Sequence, residues 1–428
     1  MRYFKKVTSK SITSNYWAWG KLVGITGFAQ IVVQGISFLS GLLLIRILEV
    51  DEYAFYTIAN TLLGTMTLLA DGGISKGVLS EGGKVWKDRN KLGIILATGL
   101  DLRKKFAVVS LVVCIPVLVY LLIDHGAGIL TVVLVSLCLI PAFFSALSDS
   151  LLEMVLKLHQ DILPLQKNQV AVALGRLILL LTFIFFVPYS FIAILVAGIT
   201  RIAGNIRLRK MVFPFADFHV YPSAEVRANI LEMVKKLMPG AIYFSISGQI
   251  TIWLLSFFGN TTSVAQIGAL SRLSVVLSLI MVLINTLIIP RYARLRENKN
   301  ILIKRSFQMT VIISLIIIAF LLIVFLFSNE ILWLFGNDYK GLSFELLLCM
   351  GGVSLDLISG LFFSLSSARG WVFNPVISIS ISILTIVIGA ILFDISNLMG
   401  VLFFNVFLAG ARIFIQGGYL GYKLMTLN

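Results

Sequence analysis

The stretch Gly41–Gly64, GLLLIRILEVDEYAFYTIANTLLG, decides the fold class. One apolar run stops at Arg46, an acidic turn follows through Glu49, Asp51 and Glu52, and a second apolar run opens at Tyr53. Two such runs joined by a short polar turn make a membrane helical hairpin whose corner lies at a membrane surface. Upstream, Leu22–Ile45 is longer than a signal-peptide core and lacks a small-residue cleavage site, so after the basic MRYFKKVTSK it reads as a retained first span.

The rest of the chain has the same character. Of 428 residues, 58% are hydrophobic and 13% charged, about half the charged share of a soluble domain. Mean hydropathy is +0.98. The net charge of +15 is therefore read through topology rather than as a nucleic-acid footprint, because Lys and Arg concentrate in the cytoplasmic loops of membrane proteins. Cys114, Cys138 and Cys349 fall inside apolar runs, and His125, His159 and His219 have no ligand spacing, so neither a disulfide framework nor a metal site is indicated. No P-loop, kinase motif or nucleophile elbow occurs, which argues against an ATP-driven pump and against an enzyme.

Cutting the chain at about 20 apolar residues per crossing predicts an all-α polytopic protein of about 12 transmembrane helices. After the first span these run from Tyr53 to Leu69, Phe106 to Ile123, Leu130 to Leu152, Val170 to Val187, and Phe191 to Asn205. A second set runs from Leu237 to Phe258, Val264 to Ile289, Met309 to Phe327, Leu342 to Ser366, Val376 to Phe393, and Met399 to Tyr419.

Charge supports this cut independently. Alternate connections carry Arg2, Lys5 and Lys6; Lys84 to Lys105; Lys157 and Lys167; Arg207 to Lys236; Arg291 to Arg305; Arg369; and Lys423. The others are short and poor in cations, which puts both termini in the cytoplasm. The long polar stretch divides the chain into a six-helix lobe at 1–210, a cytoplasmic connecting segment at 211–236 and a second six-helix lobe at 237–428. A shift of 211 positions lays the turn Leu48–Ala54 on the turn Gly259–Ala265, a repeat that rests on topology more than identity. Parallel repeats of this kind suit a transporter whose halves rock about a central cavity.

A charge at bilayer depth costs about 2.5–3.5 kcal/mol on insertion scales, so each one that persists is a candidate for function. Arg176 lies midway along the fifth span, Arg272 two turns into the eighth, Arg412 deep in the twelfth, and Arg46 ends the first. Snorkelling to an interface competes with a cavity role for Arg46 and Arg412; Arg176 and Arg272 are too deep for it to be cheap. Arg201 reads as an inside-facing anchor, and Asp149 and Glu153 as interfacial. Asp356, in the tenth span, either pairs with one of these arginines or binds a coupling H⁺ or Na⁺. A cavity lined by Arg176, Arg272, Arg412 and Arg46 would be cationic and would favour an anionic headgroup, guanidinium being matched in geometry to phosphate. An exporter of lipophilic cations would want acids there instead.

Arg46-Ile-Leu-Glu-Val-Asp-Glu-Tyr53-Ala-Phe-Tyr56 resembles the hairpin of polysaccharide-biosynthesis membrane proteins, which reads Arg-x-Leu-x-x-x-x-Tyr-Gly-x-Tyr, with Ala54 in place of the glycine. Asp71-Gly72-Gly73 resembles that family's Asp-x-Gly element, and Leu156-Lys-Leu-His-Gln160 its short inner connection. The resemblance is to lipid-linked oligosaccharide flippases of the O-antigen type, in the superfamily that also holds multidrug and toxic-compound extruders (MATE) and the lipid II flippase.

It implies a MATE-like, V-shaped bundle, alternating access, and undecaprenyl-pyrophosphate-linked oligosaccharide as substrate. It also implies a bacterial inner membrane and no cofactor beyond a coupling H⁺ or Na⁺, with Asp71 joining Asp356 as a place for one. Expected partners are the lipid-linked substrate, membrane lipids, a polysaccharide polymerase and a chain-length regulator, with no nucleic acid. A cation-coupled multidrug exporter and a lipid II flippase remain alternatives on the same fold. A membrane glycosyltransferase or polymerase would need large outer loops with catalytic acids, and the outer loops here are short.

Overall fold

A computed structural model describes residues 12–427, apart from 160, 285–288, 290–291, 293–294, 296–297, 370 and 372–373. Arg2, Lys5, Lys6, Arg291, Arg294 and Arg296 of the topology argument lie outside the described residues. Every regular element among the described residues is helical. In the first half these are α1 (Ile12–Ile47), α2 (Val50–Asp71), α3 (Ile74–Val85), α4 (Arg89–Asp124), α5 (Ile129–Leu158), α6 (Ile162–Phe183) and α7 (Ser190–Val212). In the second half α8 (Ala224–Ser247), α9 (Ile250–Phe258), α10 (Thr261–Leu270), a 3₁₀ turn (Ser271–Leu273) and α11 (Ser274–Leu283) come first. They are followed by α12 (Lys299–Leu326), α13 (Ser328–Phe335), α14 (Ser343–Ala368), α15 (Pro375–Leu392) and α16 (Leu398–Met425).

Among the described residues, 8 helices are long and apolar enough to cross a membrane. The other predicted spans coincide with α2, α6, the α8–α9 pair and α15. Of these, α2 and α6 have the length, 22 residues each, but carry polar residues such as Thr57, Asn60, Gln166 and Asn168. That polarity has an outlet, since both helices wall cavities described below.

Two predicted boundaries are corrected, and the polar connection packs on the first half. The basic stretch 89–105, expected as loop, is the first half of α4, because Asp88 caps it by accepting from the N–H groups of Asn90 and Lys91. The fifth span begins at Ile162 rather than Val170, the polar run Gln166–Gln169 being helical. The polar connection is ordered against the first half. Asp217 N–H donates to the carbonyl of Arg89 (3.1 Å), Arg227 pairs with Asp101 (2.8 Å), and Ile230 and Val234 of α8 are buried among Ile74, Leu92 and Leu151. In that connection the backbone N–H of His219 holds the Asp217 carboxylate below its ordinary pKa.

The apolar core has a revealing distribution. One cluster contains residues of both halves: Leu44–Leu48, the Tyr53–Met66 face of α2 and Leu118–Leu122 together with Val264–Leu273, Leu332–Tyr339 and Leu398–Leu402. It lies at the end carrying the cation-poor turns. At the opposite, basic end the core is split, with one cluster around Ile74, Leu151 and Leu208 and a second around Leu277, Leu361 and Leu424. Among the described residues, the one apolar cluster shared by helices throughout both halves lies at the cation-poor end. At the basic end α8 packs on the first half, and other second-half helices form a cluster of their own.

α2 is the post of the joined end. Tyr53, Ala54, Ala59, Leu62 and Met66 are fully buried on all sides of it. Gly268 of α10 lets the two halves meet there, because a Cβ at that position would overlap the Thr57 side chain. Polar contacts reinforce the closure. His125, ending α4, bonds the carbonyl of Ser256 (3.1 Å) and lies 3.4 Å from Thr261 Oγ1, and the Arg46 guanidinium stacks 4.9 Å over the Trp333 ring. Within the first half, Glu52 accepts from the N–H of Ser190 at 2.7 Å.

Candidate functional site: a divided cavity around a tyrosine pair

Two polar cavities flank α2. One, of about 420 Å³, is lined by Thr57, Asn60 and Thr61 of α2, Gly248, Gln249 and Thr251 between and after α8 and α9, Ser271, Arg272 and Ser274, Asp356 of α14 and Asn405 of α16. The other, of about 370 Å³, is lined by Gln30 of α1, Asn60, Asp149 and Glu153 of α5, Asn168, Gln169 and Arg176 of α6, and Thr200 and Arg201 of α7. Asn60 borders both.

The first cavity owes its shape to two broken helices. The predicted seventh span stops at Ser247 and restarts at Ile250, leaving Gly248 and Gln249 outside the helix. The eighth is interrupted by the 3₁₀ turn Ser271–Leu273, where Ser271 donates its hydroxyl to the carbonyl of Gly268 and Ser274 to that of Ser271 (3.0 and 2.6 Å). Irregular backbone at membrane depth is tolerated where it lines a polar cavity, since its freed carbonyls and N–H groups need partners. Both interruptions face this cavity.

Arg176 and Arg272 converge from the two sides on one tyrosine pair. Arg176 Nη2 donates to the Tyr56 hydroxyl (3.0 Å), and Arg272 Nε donates to the Tyr53 hydroxyl (3.3 Å). The Arg272 guanidinium also lies 5.6 Å over the Tyr56 ring. The two rings are 6.0 Å apart and both are fully buried. Arg272 passes against Gly41 of α1, where a Cβ would stand 3.1 Å from its Cδ. Among the described residues no carboxylate pairs with Arg176 or Arg272, and the Arg176 Nε is buried without an acceptor.

The remaining candidates behave differently. Arg412 binds Asp356 at 2.7 Å, with about a third of each side chain exposed, so the pairing reading of Asp356 describes what is seen. Arg46 is exposed at the joined end over Trp333 and lines neither cavity. Asp71 is held by Arg103, Ser75 Oγ and the Ser75 N–H. Arg103 is 2% exposed and also reaches the carbonyl of Leu147 and Ser150 Oγ, tying α2, α3, α4 and α5 together. The loop arginine of the sequence reading is thus an internal brace.

Asp149, Glu153 and Arg201, expected at the interface, face the second cavity. Asp149 binds Arg201 Nε (2.9 Å) and Asn205 (2.7 Å); Glu153 binds Lys157 (2.9 Å) and Gln169 (3.0 Å). Every acid lining either cavity therefore has a basic partner, and the two arginines at the tyrosines have no acidic one among the described residues. The tyrosines were visible in the sequence only as marks of a hairpin motif, and nothing in an apolar helix reveals which arginine will reach them.

Neither a family model nor a curated relative matches the sequence. Solved structures do match in shape. The chain has the MATE-like fold. A multidrug-resistance MATE family transporter of the MOP superfamily, in its inward-facing conformation, superposes with a TM-score of 0.67 at 15% identity over 94% of this chain and 95% of that one. The lipid II flippase MurJ in an inward closed conformation gives 0.70 at 15% identity over 95% and 87%. A eukaryotic MATE transporter gives 0.62 at 16% over 96% of both. The protein is a multi-pass membrane protein of this architecture, and at these identities the likeness carries the fold alone.

Proposed function

We propose that the protein is a flippase that moves an oligosaccharide linked through pyrophosphate to undecaprenol, an O-antigen or similar repeat unit, from the inner to the outer leaflet of a bacterial inner membrane. The observation that carries this reading is the charge balance of the cavity: Arg176 and Arg272 flank the tyrosine pair without a carboxylate partner, while Asp149, Glu153 and Asp356 are each paired. Unpaired guanidinium groups in a partly desolvated site favour an anion whose oxygens match their planar donors, and pyrophosphate is such an anion. A cationic drug would meet two unbalanced positive charges. Lipid II carries the same headgroup chemistry, so charge alone does not separate these two lipid substrates.

The basic turns set the orientation, with both termini and the split end of the core in the cytoplasm. Two lobes, 1–210 and 237–428 joined by 211–236, then enclose a cavity open to the inside and closed outside. The headgroup reaches Arg176 and Arg272 from the inner-leaflet side, where its oxygens compete with the tyrosine hydroxyls. Displacing Tyr53 from Arg272 removes a polar link between the lobes just below the outer closure, and the lobes rock. The glycan follows through the polar cavity while the lipid tail stays in the bilayer.

Deleting the gene and complementing with Arg176→Ala or Arg272→Ala at matched expression tests the reading, with surface polysaccharide read on gels. Loss in the deletion strain and in both variants is expected. A deletion strain with normal polysaccharide but failing cell-wall synthesis would point to lipid II instead, and one with only raised drug sensitivity to an exporter.

A further inference from the structure

A third cavity, of about 550 Å³, lies between α1 and α6 on the outer surface of the bundle, lined by Phe28, Ala29, Val32, Val170, Ala171 and Leu174. Its volume falls in the range of about 300–1,000 Å³ typical of small-ligand sites. Unlike the polar cavities it is apolar, except that Gln166 and Lys167 stand at one end. The same two helices wall the arginine cavity on their other faces, through Gln30 of α1 and Gln169 and Arg176 of α6. Between groove and cavity stands a glutamine cluster: Gln30 Nε2 donates to Gln169 Oε1 (2.9 Å) and, at 3.4 Å, to Gln166 Oε1. Lys167 is exposed and makes no ion pair among the described residues.

We infer that this groove is the seat of the isoprenoid tail of the substrate, with the glutamine cluster as the doorway through which the attached headgroup passes into the arginine cavity. The inference rests on the flippase reading and names where its lipid part is held. An amphiphile with one long apolar chain and one anionic head needs an apolar slot that meets a polar, cationic chamber, and α1 and α6 supply both on opposite faces. Lys167 offers a first contact for the diphosphate at the mouth. On parting, Gln30 Nε2 donates to phosphate or sugar oxygens, and the Oε1 atoms of Gln166 and Gln169 accept from sugar hydroxyls. In the proposed orientation α6 starts at the cytoplasmic side, so Leu163–Leu174 lies at inner-leaflet depth, where the loaded lipid arrives.

The test uses the full chain in nanodiscs with a polyprenyl diphosphate bearing a photoreactive group along its tail, labelled sites being mapped by peptide mass spectrometry. Labelling concentrated on Phe28, Val32, Ala171 and Leu174, competed by unlabelled polyprenyl diphosphate but not by a neutral polyprenol, is expected. Ala171→Trp, which fills the groove, is expected to lower that labelling at least tenfold while diphosphate binding through Arg176 and Arg272 persists for a short-chain analogue. Binding with labels spread evenly over all lipid-facing helices, or unchanged in Ala171→Trp, would overturn the groove and leave the flippase reading standing. No competition by any polyprenyl diphosphate would overturn the flippase reading and the groove with it.

Discussion

Arg272, in the second half of the chain, donates to the hydroxyl of Tyr53 in the first at 3.3 Å, a bond across the seam between halves. Removing the hydroxyl while keeping the ring separates its polar role from its packing. Tyr53→Phe is expected to preserve the fold and raise diphosphate affinity, since no hydroxyl competes for Arg272, while lowering turnover several-fold, because the link that substrate displaces is already gone and outer closure is weakened. A hydrogen bond to a charged group contributes about 1.5–3 kcal/mol. Single-molecule distances across the outer end should show the open population rising in Tyr53→Phe; an unchanged distribution would count against the coupling.

Gly268 sits where α10 presses on Thr57. Gly268→Val should push α10 from α2 and cost about 1–3 kcal/mol by overpacking. A second change, Thr57→Ala, should restore part of the loss. Thermal unfolding in detergent measures both, and an absence of rescue would mean that the contact is not the one strained.

Arg103 joins Asp71, Ser75, Ser150 and the carbonyl of Leu147. Arg103→Ala leaves a partly buried carboxylate without its partner, a loss of about 3 kcal/mol. Little monodisperse protein should be recovered by size-exclusion chromatography. Asp71→Asn keeps the shape and the hydrogen bonds but leaves the buried Arg103 guanidinium without its counter-charge, and is expected to be recovered folded at reduced thermal stability and to transport. A folded Asp71→Asn protein without transport would return Asp71 to the ion-coupling role expected from sequence.

His125 and Thr261 meet at the closed end. With Cys114, Cys138 and Cys349 replaced, cysteines at 125 and 261 bridged by a short bifunctional reagent should abolish transport while leaving diphosphate binding from the open side intact. Continued transport in the bridged protein would show that this end does not open.

The contrast between what the sequence disclosed and what it hid has a physical basis. Long apolar runs are dictated by the bilayer, so α4, α5, α12 and α16 were legible as spans. Partnership was not. Whether Asp149 meets Arg201 or faces lipid headgroups depends on how α5 and α7 are rotated, and a uniformly apolar helix shows no face by which to read that rotation. Arg103 was misread because Arg103-Lys104-Lys105 has the composition of a loop, while its place on α4 turns only the first of the three inward. The break at Gly248–Gln249 is short enough to vanish in any hydropathy average.

Equilibrium binding of radiolabelled undecaprenyl diphosphate to the purified protein reports whether Arg176 and Arg272 form the anion site. Arg176→Ala and Arg272→Ala are each expected to weaken binding about tenfold or more, with lysine at either position recovering only part, since it supplies charge without the planar fork. Wild-type affinity in both alanine variants, each eluting as folded protein, would mean that the diphosphate does not bind at these arginines.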